Sequence, residues 1–235
     1  MKLIQRKDNQ IVFEADIEES LANAIRRYLN EISISAIDEV EISKNDSPLY
    51  DETVAHRMGL IPLKISKPVG GTLKLSVDKE GIVYSEELRG DLEVAYEKIP
   101  ITSLNKGQKL EVSATVKIGQ GNVHSKFSPG LMFYRNDVEI KIDKNTPDNI
   151  VDVCPQKIFK LKEGKIIVED SYKCDMCEAC VEACTKEGKG SVRITPTKKL
   201  ILTIESFGQL PVEEIAKRSL YTLKKDLVKV SKQVK

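Results

Sequence analysis

Five cysteines, four of them in one short run, constrain this 235-residue chain more than any other feature of its sequence. The run consists of Cys174, Cys177, Cys180 and Cys184, with the spacing C-x2-C-x2-C-x3-C. This spacing is typical of iron–sulfur sites in which three thiolates bind one cluster and the fourth binds another cluster. The run therefore predicts an iron–sulfur module.

The fifth cysteine narrows the expected ligand set. Cys154-Pro155 has the form in which such a run ends, and in a two-cluster ferredoxin the cysteine of that ending binds the cluster held by the other run. The positions that would complete a first run hold Lys144, Pro147 and Ile150, none of which binds iron. We therefore expect a single cluster, and we interpret Cys184 as a buried small apolar residue. The predicted ligands are Cys154, Cys174, Cys177 and Cys180.

Other cysteine chemistries stay open on the sequence alone. Zinc accepts similar ligands, although its cysteines usually form two C-x2-C pairs separated by a longer loop. Redox-active thiols are a second alternative. Structural disulfides fit less well, because an odd number of cysteines without a leader peptide indicates a reducing compartment.

Composition is that of an ordinary globular protein. Lys and Arg number 37 against 36 Asp and Glu, so the net charge of +1 gives no reason to expect a polyanionic partner or sequence-specific contact with DNA. No apolar run approaches about 18 residues and no cationic-apolar leader opens the chain. We therefore expect neither a membrane span nor secretion, and a cytoplasmic location.

Two helices with apolar stripes are predicted, one near each end of the chain. The first begins at Ser20, and its stripe is Leu21, Ile25, Tyr28, Leu29 and Ile32. The second is expected to have Pro211 as its first residue, and its stripe is Ala216, Leu220, Leu223, Leu227 and Val230. The heptad spacing of the second stripe makes a narrow seam, which favours packing against another helix.

Alternating apolar and polar residues predict strands through most of the rest. The expected strands are 2–6 and 10–15 as a hairpin, 34–42, 72–77, 92–96, 110–118, 138–142, a hairpin within 160–168, and 199–204. A short helix over 51–58 should end at Gly59. Gly119-Gln-Gly121 lacks the third glycine of a dinucleotide loop, and we interpret it as a strand end where the backbone approaches a neighbour.

No residue pattern indicates catalysis. His56 and His124 are the only histidines, and they lie in different segments of the sequence. Neither has a Ser, Cys or carboxylate arranged with it as a nucleophile or base would require. We expect both to have structural roles.

Several separated motifs resemble one known family. Ser20-Leu-Ala-Asn-Ala-Ile-Arg-Arg27, followed by Ala36-Ile-Asp-Glu-Val-Glu-Ile42, is similar to the motif of the α-like subunits of RNA polymerase. Residues 54–63 resemble the form found in archaeal and eukaryotic members, and residues 119–129 resemble a further shared segment. With the ferredoxin-like insert and the chain length, the similarity is greatest to the archaeal D subunits. It extends over essentially the whole chain.

The resemblance implies an α+β fold in three parts. Residues 1–43 and 197–235 would form a discontinuous α-like dimerisation domain. Residues 44–145 would form an inserted mostly-β domain, and residues 146–196 a ferredoxin-like iron–sulfur domain. Residues 20–32 and 211–231 would be the interface helices, which include both apolar stripes.

The resemblance also implies a role in assembly. Members of the family pair with a smaller α-like partner, subunit L in archaea, and with the small subunits N and P they form the platform for the large catalytic subunits. Arg26 and Arg27 would lie near the surface that receives the second-largest subunit, although a solvated pair beside the helix stripe is the simpler interpretation of the sequence alone. The catalytic metal site would belong to the large subunits.

The resemblance does not make the cluster essential for polymerisation, because family members carry two, one or no cluster runs. Thr185 here replaces the proline expected after Cys184, consistent with loss of the first cluster. If Cys154 binds the cluster, we expect a 4Fe–4S cluster. If it does not, we expect a 3Fe–4S cluster. The alternative function is a single-cluster electron-transfer subunit of a redox complex, which is weakened by the absence of a flavin, haem or nicotinamide motif.

Overall fold

The computed structural model describes residues 1–234, which form a mixed α/β fold made mostly of strands. The strands are β1 (Lys2–Lys7), β2 (Gln10–Ala15), β3 (Ile34–Asn45), β4 (Leu63–Lys64), β5 (Gly71–Val77), β6 (Gly81–Tyr84), β7 (Arg89–Gly90), β8 (Glu93–Val94), β9 (Pro100–Leu104), β10 (Leu110–Gly119), β11 (Gly130–Ile142), β12 (Phe159–Lys162), β13 (Lys165–Val168) and β14 (Val192–Ser206). The helices are α1 (Glu19–Leu29), α2 (Asp51–Gly59), α3 (Ile150–Val153), α4 (Ala179–Glu187) and α5 (Val212–Gln233). Short 3₁₀ turns span Ser85–Glu87, Ser125–Phe127 and Ser171–Lys173. The predicted mixture of helices and strands is confirmed.

The described chain divides into two compact units. Unit 1 comprises Met1–Arg6, Val12–Ala22 and Phe133–Thr203, and it contains all five cysteines. Unit 2 comprises Lys7–Ile11, Asn23–Met132 and the chain from Ile204 onward. Each unit combines segments that are distant in sequence. The three-domain division expected from the resemblance stays a prediction.

Unit 2 contains an antiparallel sheet with strand order β3-β10-β5-β7. Apolar residues alternate along the central strand β10, where Leu110, Val112, Ala114 and Val116 are all buried. Helix α2 packs against β3 and buries Val54 and Met58, which are one helical turn apart. The period-two and helical patterns of the sequence therefore predict these elements correctly.

A second four-stranded sheet has the order β1-β2-β14-β11. The predicted hairpin of β1 and β2 is confirmed, but β11 and β14 extend well beyond the predicted 138–142 and 199–204. These two strands are hydrogen-bonded neighbours, so each continues as far as its partner allows. The pairing of neighbouring strands depends on backbone groups, which no side-chain pattern records.

Three local predictions are wrong. The predicted strand 92–96 is too long, since only Glu93–Val94 pair with β4, and the Ala95 N–H adds one further bond to the Pro62 carbonyl at 2.8 Å. Helix α1 ends at Leu29, so Ile32 lies outside it. Pro211 has an extended ψ of 142° and precedes the first residue of α5.

The interpretation of Gly119-Gln-Gly121 as a close backbone approach is confirmed. A Cβ at Gly119 would lie 2.6 Å from the Phe127 ring, and one at Gly121 would lie 2.7 Å from Oδ1 of Asn30. The Gln120 side chain donates to the Glu31 carbonyl at 2.8 Å. The segment after β10 is thus held against the turn that follows α1.

Gly130, at the start of β11, gives a direct test of packing in unit 2. A Cβ there would lie 2.1 Å from the backbone carbonyl oxygen of Glu205, a contact that only backbone movement can relieve. We expect Gly130→Ala to lower the free energy of unfolding by about 3 kcal/mol in urea titrations. Gly59→Ala is the control, because its Cβ would make an ordinary 3.7 Å contact with the Ile37 carbonyl. Equal unfolding midpoints for the two variants would contradict the packing described here.

Candidate functional site

The cysteines of unit 1 lie in and beside one apolar core. The thiols of Cys154, Cys174, Cys180 and Cys184 are buried with Val138, Ile150, Ile158, Phe159 and Val192, whereas Cys177 is exposed. Cys154 directly follows α3, Cys174 follows the 3₁₀ turn 171–173, and Cys180 lies in the first turn of α4. Three short elements therefore bring cysteines from two distant segments into one core.

Burial and nearby charged groups, including other thiols, act on the pKa values of two of these cysteines. Burial raises the pKa of Cys180 to about 11, and the nearby thiols of Cys154 and Cys174 contribute to the increase. Burial also raises the pKa of Cys174; the Met176 N–H, which donates to its sulfur, opposes the shift, and Asp175, Cys154 and Cys177 add to it. The four predicted ligands are thus linked to one another through Cys174 and Cys180.

Cys184 has different neighbours. Burial raises its pKa, the Val192 backbone N–H opposes this shift, and the charge of Glu187 adds to it. The groups that act on Cys184 in the described chain are therefore not thiols. Cys184 is 3% exposed, as expected of a buried apolar residue, and its exclusion from the ligand set stays a prediction.

The loop around Cys177 has an unusual backbone. Met176 and Glu178 have left-handed φ values of 57° and 60°, which non-glycine residues adopt at a cost. The Asp175 carboxylate accepts the Cys177 N–H at 3.2 Å, and Gln156 donates to the same carboxylate. Such a conformation persists only where the surroundings hold it, and ligand-binding loops are a common place for it.

The donor set fits an iron–sulfur cluster in its chemistry, because thiolates are the usual ligands of such clusters and four of the five cysteines are buried in one core. Among residues 1–234, no three His, Cys, Asp or Glu side chains are placed to hold one metal ion. A zinc ion draws its thiolates to about 2.3 Å from one point, whereas a cluster binds each thiolate at a separate iron atom and so needs ligands further apart. Cluster binding itself stays a prediction.

Arg135, on β11, is a functional candidate that the sequence analysis missed. Its Nη1 donates to the backbone carbonyl of Cys174 at 2.6 Å, and its Nη2 donates to the carbonyl of Tyr172. Arg135 lies 39 positions before Cys174. No local sequence pattern connects the two, and only the fold brings them together.

The predicted interface residues divide by their exposure in this chain. Ile25, Leu29 and Ile32 are at most 8% exposed, so they pack within the chain itself. Leu223 is also buried, while Tyr28 and Ala216 are half-buried. The exposed members of the predicted set are Leu21, Leu220, Leu227 and Val230. The structure thus restricts the apolar surface available to a partner, and most of it lies on α5.

Helix α5 presents this surface over its last three turns. Leu220, Leu223, Leu227 and Val228 line an open groove of about 470 Å³, together with Lys224 and Ser231 at its margins. Lys229 and Tyr28 hydrogen-bond the Asp226 carboxylate and lower its pKa, which ties α5 to α1 on another side of the helix. No helix in residues 1–234, including α5, has an apolar stretch long enough to cross a membrane.

Arg26 and Arg27 are both exposed on α1. The Arg26 guanidinium donates to Oδ1 of Asn23 at 3.0 and 3.2 Å, so it folds back on its own helix. This geometry fits a solvated pair. A docking role for the two arginines stays a prediction.

The two histidines, which are far apart in sequence, line one cavity of about 250 Å³ in unit 2. His124 accepts the Lys126 N–H through Nδ1 at 3.1 Å. Asp38, in the same cavity, is ion-paired with Lys126 and with Lys117, and these bonds lower its pKa. The Asp38 carboxylate is already bound to two ammonium groups. It is therefore not free to act together with either histidine in acid–base catalysis.

Comparison with known proteins relates both units to one family. The profile described as RNA polymerase Rpb3/RpoA insert domain matches residues 40–132, most of unit 2. The DNA-directed RNA polymerase subunit Rpo3 of Thermococcus kodakarensis is 32% identical over 94% of this chain and 92% of its own length. The Rpo3 subunit of Pyrococcus horikoshii is 32% identical over 95% of this chain and 93% of its length.

A more distant relative extends the comparison. The DNA-directed RNA polymerase II subunit rpb3 of Dictyostelium discoideum is 26% identical over 100% of this chain and 94% of its length. The resemblance to α-like polymerase subunits is therefore confirmed, while these relatives carry the names Rpo3 and rpb3 rather than the letter D. This chain belongs to the Rpo3/Rpb3 family of DNA-directed RNA polymerase subunits.

Proposed function

We propose that this chain is a non-catalytic assembly subunit of an archaeal DNA-directed RNA polymerase, equivalent to the archaeal D subunits. Its relatives across nearly their whole length are polymerase subunits, which supports membership of such a complex. The observation that carries the assembly role is the exposed apolar groove of α5. Contiguous exposed apolar residues on one helix face are typical of a protein–protein interaction site.

The proposed partners are other polymerase subunits. In this proposal α5 pairs with the smaller α-like subunit L, and subunits N and P complete the platform. Arg26 and Arg27 face the second-largest subunit. Residues 1–43 and 197–235 act as the dimerisation domain, with 44–145 and 146–196 inserted in it. No membrane attachment and no sequence-specific contact with DNA are proposed, and the complex acts in the cytoplasm.

The second part of the proposal is one iron–sulfur cluster bound by the four neighbouring cysteines. When bound, the cluster would supply cross-linking of distant segments rather than polymerisation chemistry. Residues 146–196 are too few to build a large core, and binding free energy from a metal centre adds to the stability of so short a module. Cys154 links the segment after α3 to the loop before α4. The cluster is 4Fe–4S if Cys154 binds and 3Fe–4S if it does not.

Co-expression with an L-like subunit tests the assembly role directly. We expect the two chains to co-elute from size exclusion as a 1:1 complex, with iron in the complex by elemental analysis. Pairing and iron are separate readouts, so a complex without iron would overturn the cluster and leave the assembly role in place. A chain that remains monomeric with the partner in every condition would overturn the assembly role. Iron in such a monomer would favour the electron-transfer alternative.

A further inference from the structure

The cysteine loop of unit 1 is attached to the β1-β2-β14-β11 sheet by side chains outside the predicted ligand set. Arg135 on β11 makes the first attachment, through the carbonyls of Tyr172 and Cys174. Cys174 is the first cysteine of the run, and Tyr172 lies two positions before it. A guanidinium has its donors in a rigid plane and can bind two carbonyls in a fixed relative position. Arg135 therefore holds two points of the loop backbone against β11 in a fixed relative position.

The side chain of Tyr172 makes the second attachment. Its hydroxyl accepts from Nζ of Lys2 at 3.0 Å and donates to Oε2 of Glu14 at 3.1 Å. Oε1 of Glu14 accepts from Nζ of Lys199 at 2.7 Å. Glu14 is only 12% exposed. Residues from β1, β2 and β14 thus hold the ring that precedes the first cysteine of the run.

The attachment also has a defined charge. Lys2, Arg135 and Lys199 are cations, and the Glu14 carboxylate bonds Lys199. The loop itself carries Asp170 and Asp175, whose carboxylates accept the N–H groups of Tyr172 and Cys177. An iron–sulfur cluster with four thiolate ligands carries negative charge, and nearby charge and hydrogen bonding tune its reduction potential. Positive charge beside the loop stabilises the more negative, reduced state. Loss of one cation would therefore lower the potential.

We propose that Arg135 is a positioning residue for Cys174, which holds the cysteine loop on the sheet before the cluster binds and raises the cluster's reduction potential once it is bound. This inference rests on the proposed cluster and deepens it. It assigns the β1-β2-β14-β11 sheet a role as the rigid support of the cysteine loop. Arg135 itself binds the backbone of the site and not the iron.

The test compares Arg135→Gln, Arg135→Lys and a control, Arg193→Gln, in the full-length chain. Arg193 is exposed on the neighbouring strand β14. In the iron-free chain, hydrogen exchange of amides 172–180 should be about tenfold faster in Arg135→Gln, the effect of losing one charge-assisted hydrogen bond. After anaerobic iron loading, the visible absorption of this variant should decay faster in air, and its reduction potential should be lower.

Arg135→Lys separates position from charge. A single ammonium keeps the charge but cannot reproduce the planar bonds to two carbonyls. We expect a reduction potential close to that of the wild type and hydrogen exchange as fast as in Arg135→Gln. Arg193→Gln should match the wild type in exchange, absorption decay and potential.

The outcomes distinguish this inference from the cluster on which it rests. A wild-type chain that takes up no iron overturns the proposed cluster and, with it, the role of Arg135 toward Cys174. A wild-type chain that takes up iron, with an Arg135→Gln variant unchanged in exchange and potential, overturns the positioning role alone. An Arg193→Gln variant that is affected as strongly as Arg135→Gln would also overturn it, since the effect would then be a general one of surface charge.

Discussion

Replacing Leu220 and Leu227 together with aspartate is expected to abolish pairing with the small α-like partner while leaving this chain folded. The two side chains are 45% and 59% exposed, so the unpaired chain loses little when they become polar. They lie seven residues apart, about 10 Å along one face of α5, and both line its groove. Of the apolar residues that line the groove, Leu223 alone is buried in this chain's own core.

The expected size of the effect follows from interface energetics. Truncating an anchor residue at the centre of an interface typically costs at least about 2 kcal/mol, and an aspartate there also leaves a buried charge without a partner. Two sites two turns apart contribute nearly independently, so affinity should fall by roughly a thousandfold or more. Isothermal titration with the purified partner, or loss of co-elution at micromolar concentration, measures this.

A matched control separates packing from charge. Lys225→Glu changes the net charge by the same two units on an exposed residue of α5 that does not line the groove. We expect it to keep both pairing and the unfolding midpoint of the wild type. If the double aspartate variant still paired at wild-type affinity, the groove of α5 would not be the interface.

The exposure of individual side chains on α1 and α5 resolves a question that the sequence leaves open. Helical spacing identified both apolar stripes, but a stripe has the same appearance whether it faces the chain's own core or a partner. Leu29 and Leu227 illustrate the ambiguity, because the first is 2% exposed and the second 59%. Deciding between them requires the tertiary packing of unit 2, which depends on strands far away in sequence.

Local patterns were sufficient where an element is stabilised locally. The alternation of β10, the buried turn of α2 and the spacing of the cysteine run were all visible in short windows of sequence. Pairing between strands that are distant in sequence was not visible in such windows. That pairing determines the lengths of β11 and β14 and the end of β8. Arg135 belongs to the same class, since an arginine becomes a candidate only when the fold places it on the Cys174 carbonyl.

The ligand set is open to the same kind of test as the interface. Cys177→Ser should remove the brown colour and most of the iron, because it takes away one of four thiolates from the proposed cluster. The exposed position of Cys177 means that serine disturbs no core packing in the iron-free chain. Any loss of stability therefore reports on the cluster.

The loss should be confined to the module that the cluster stabilises. A ligand present at about a thousand times its dissociation constant stabilises the folded state by roughly 4 kcal/mol, so residues 146–196 should become sensitive to limited proteolysis when it is lost. Pairing through α5 should persist, because the groove lies in unit 2 and every cysteine lies in unit 1. Loss of pairing in Cys177→Ser would show instead that the cysteine module is integral to the interface.

Cys184→Ala is the control that separates a ligand from a buried apolar cysteine. Cys184 is 3% exposed, and the groups that shift its pKa are Val192 and Glu187 rather than another thiol of the described chain. Alanine removes only a sulfur atom from the core and should cost about 1 kcal/mol, with iron content and colour unchanged. If Cys184→Ala bleached the chain and Cys177→Ser did not, the cluster would use Cys184, and the ligand set proposed from the spacing would be wrong. Retention of iron by both variants would point to a site that needs neither thiol.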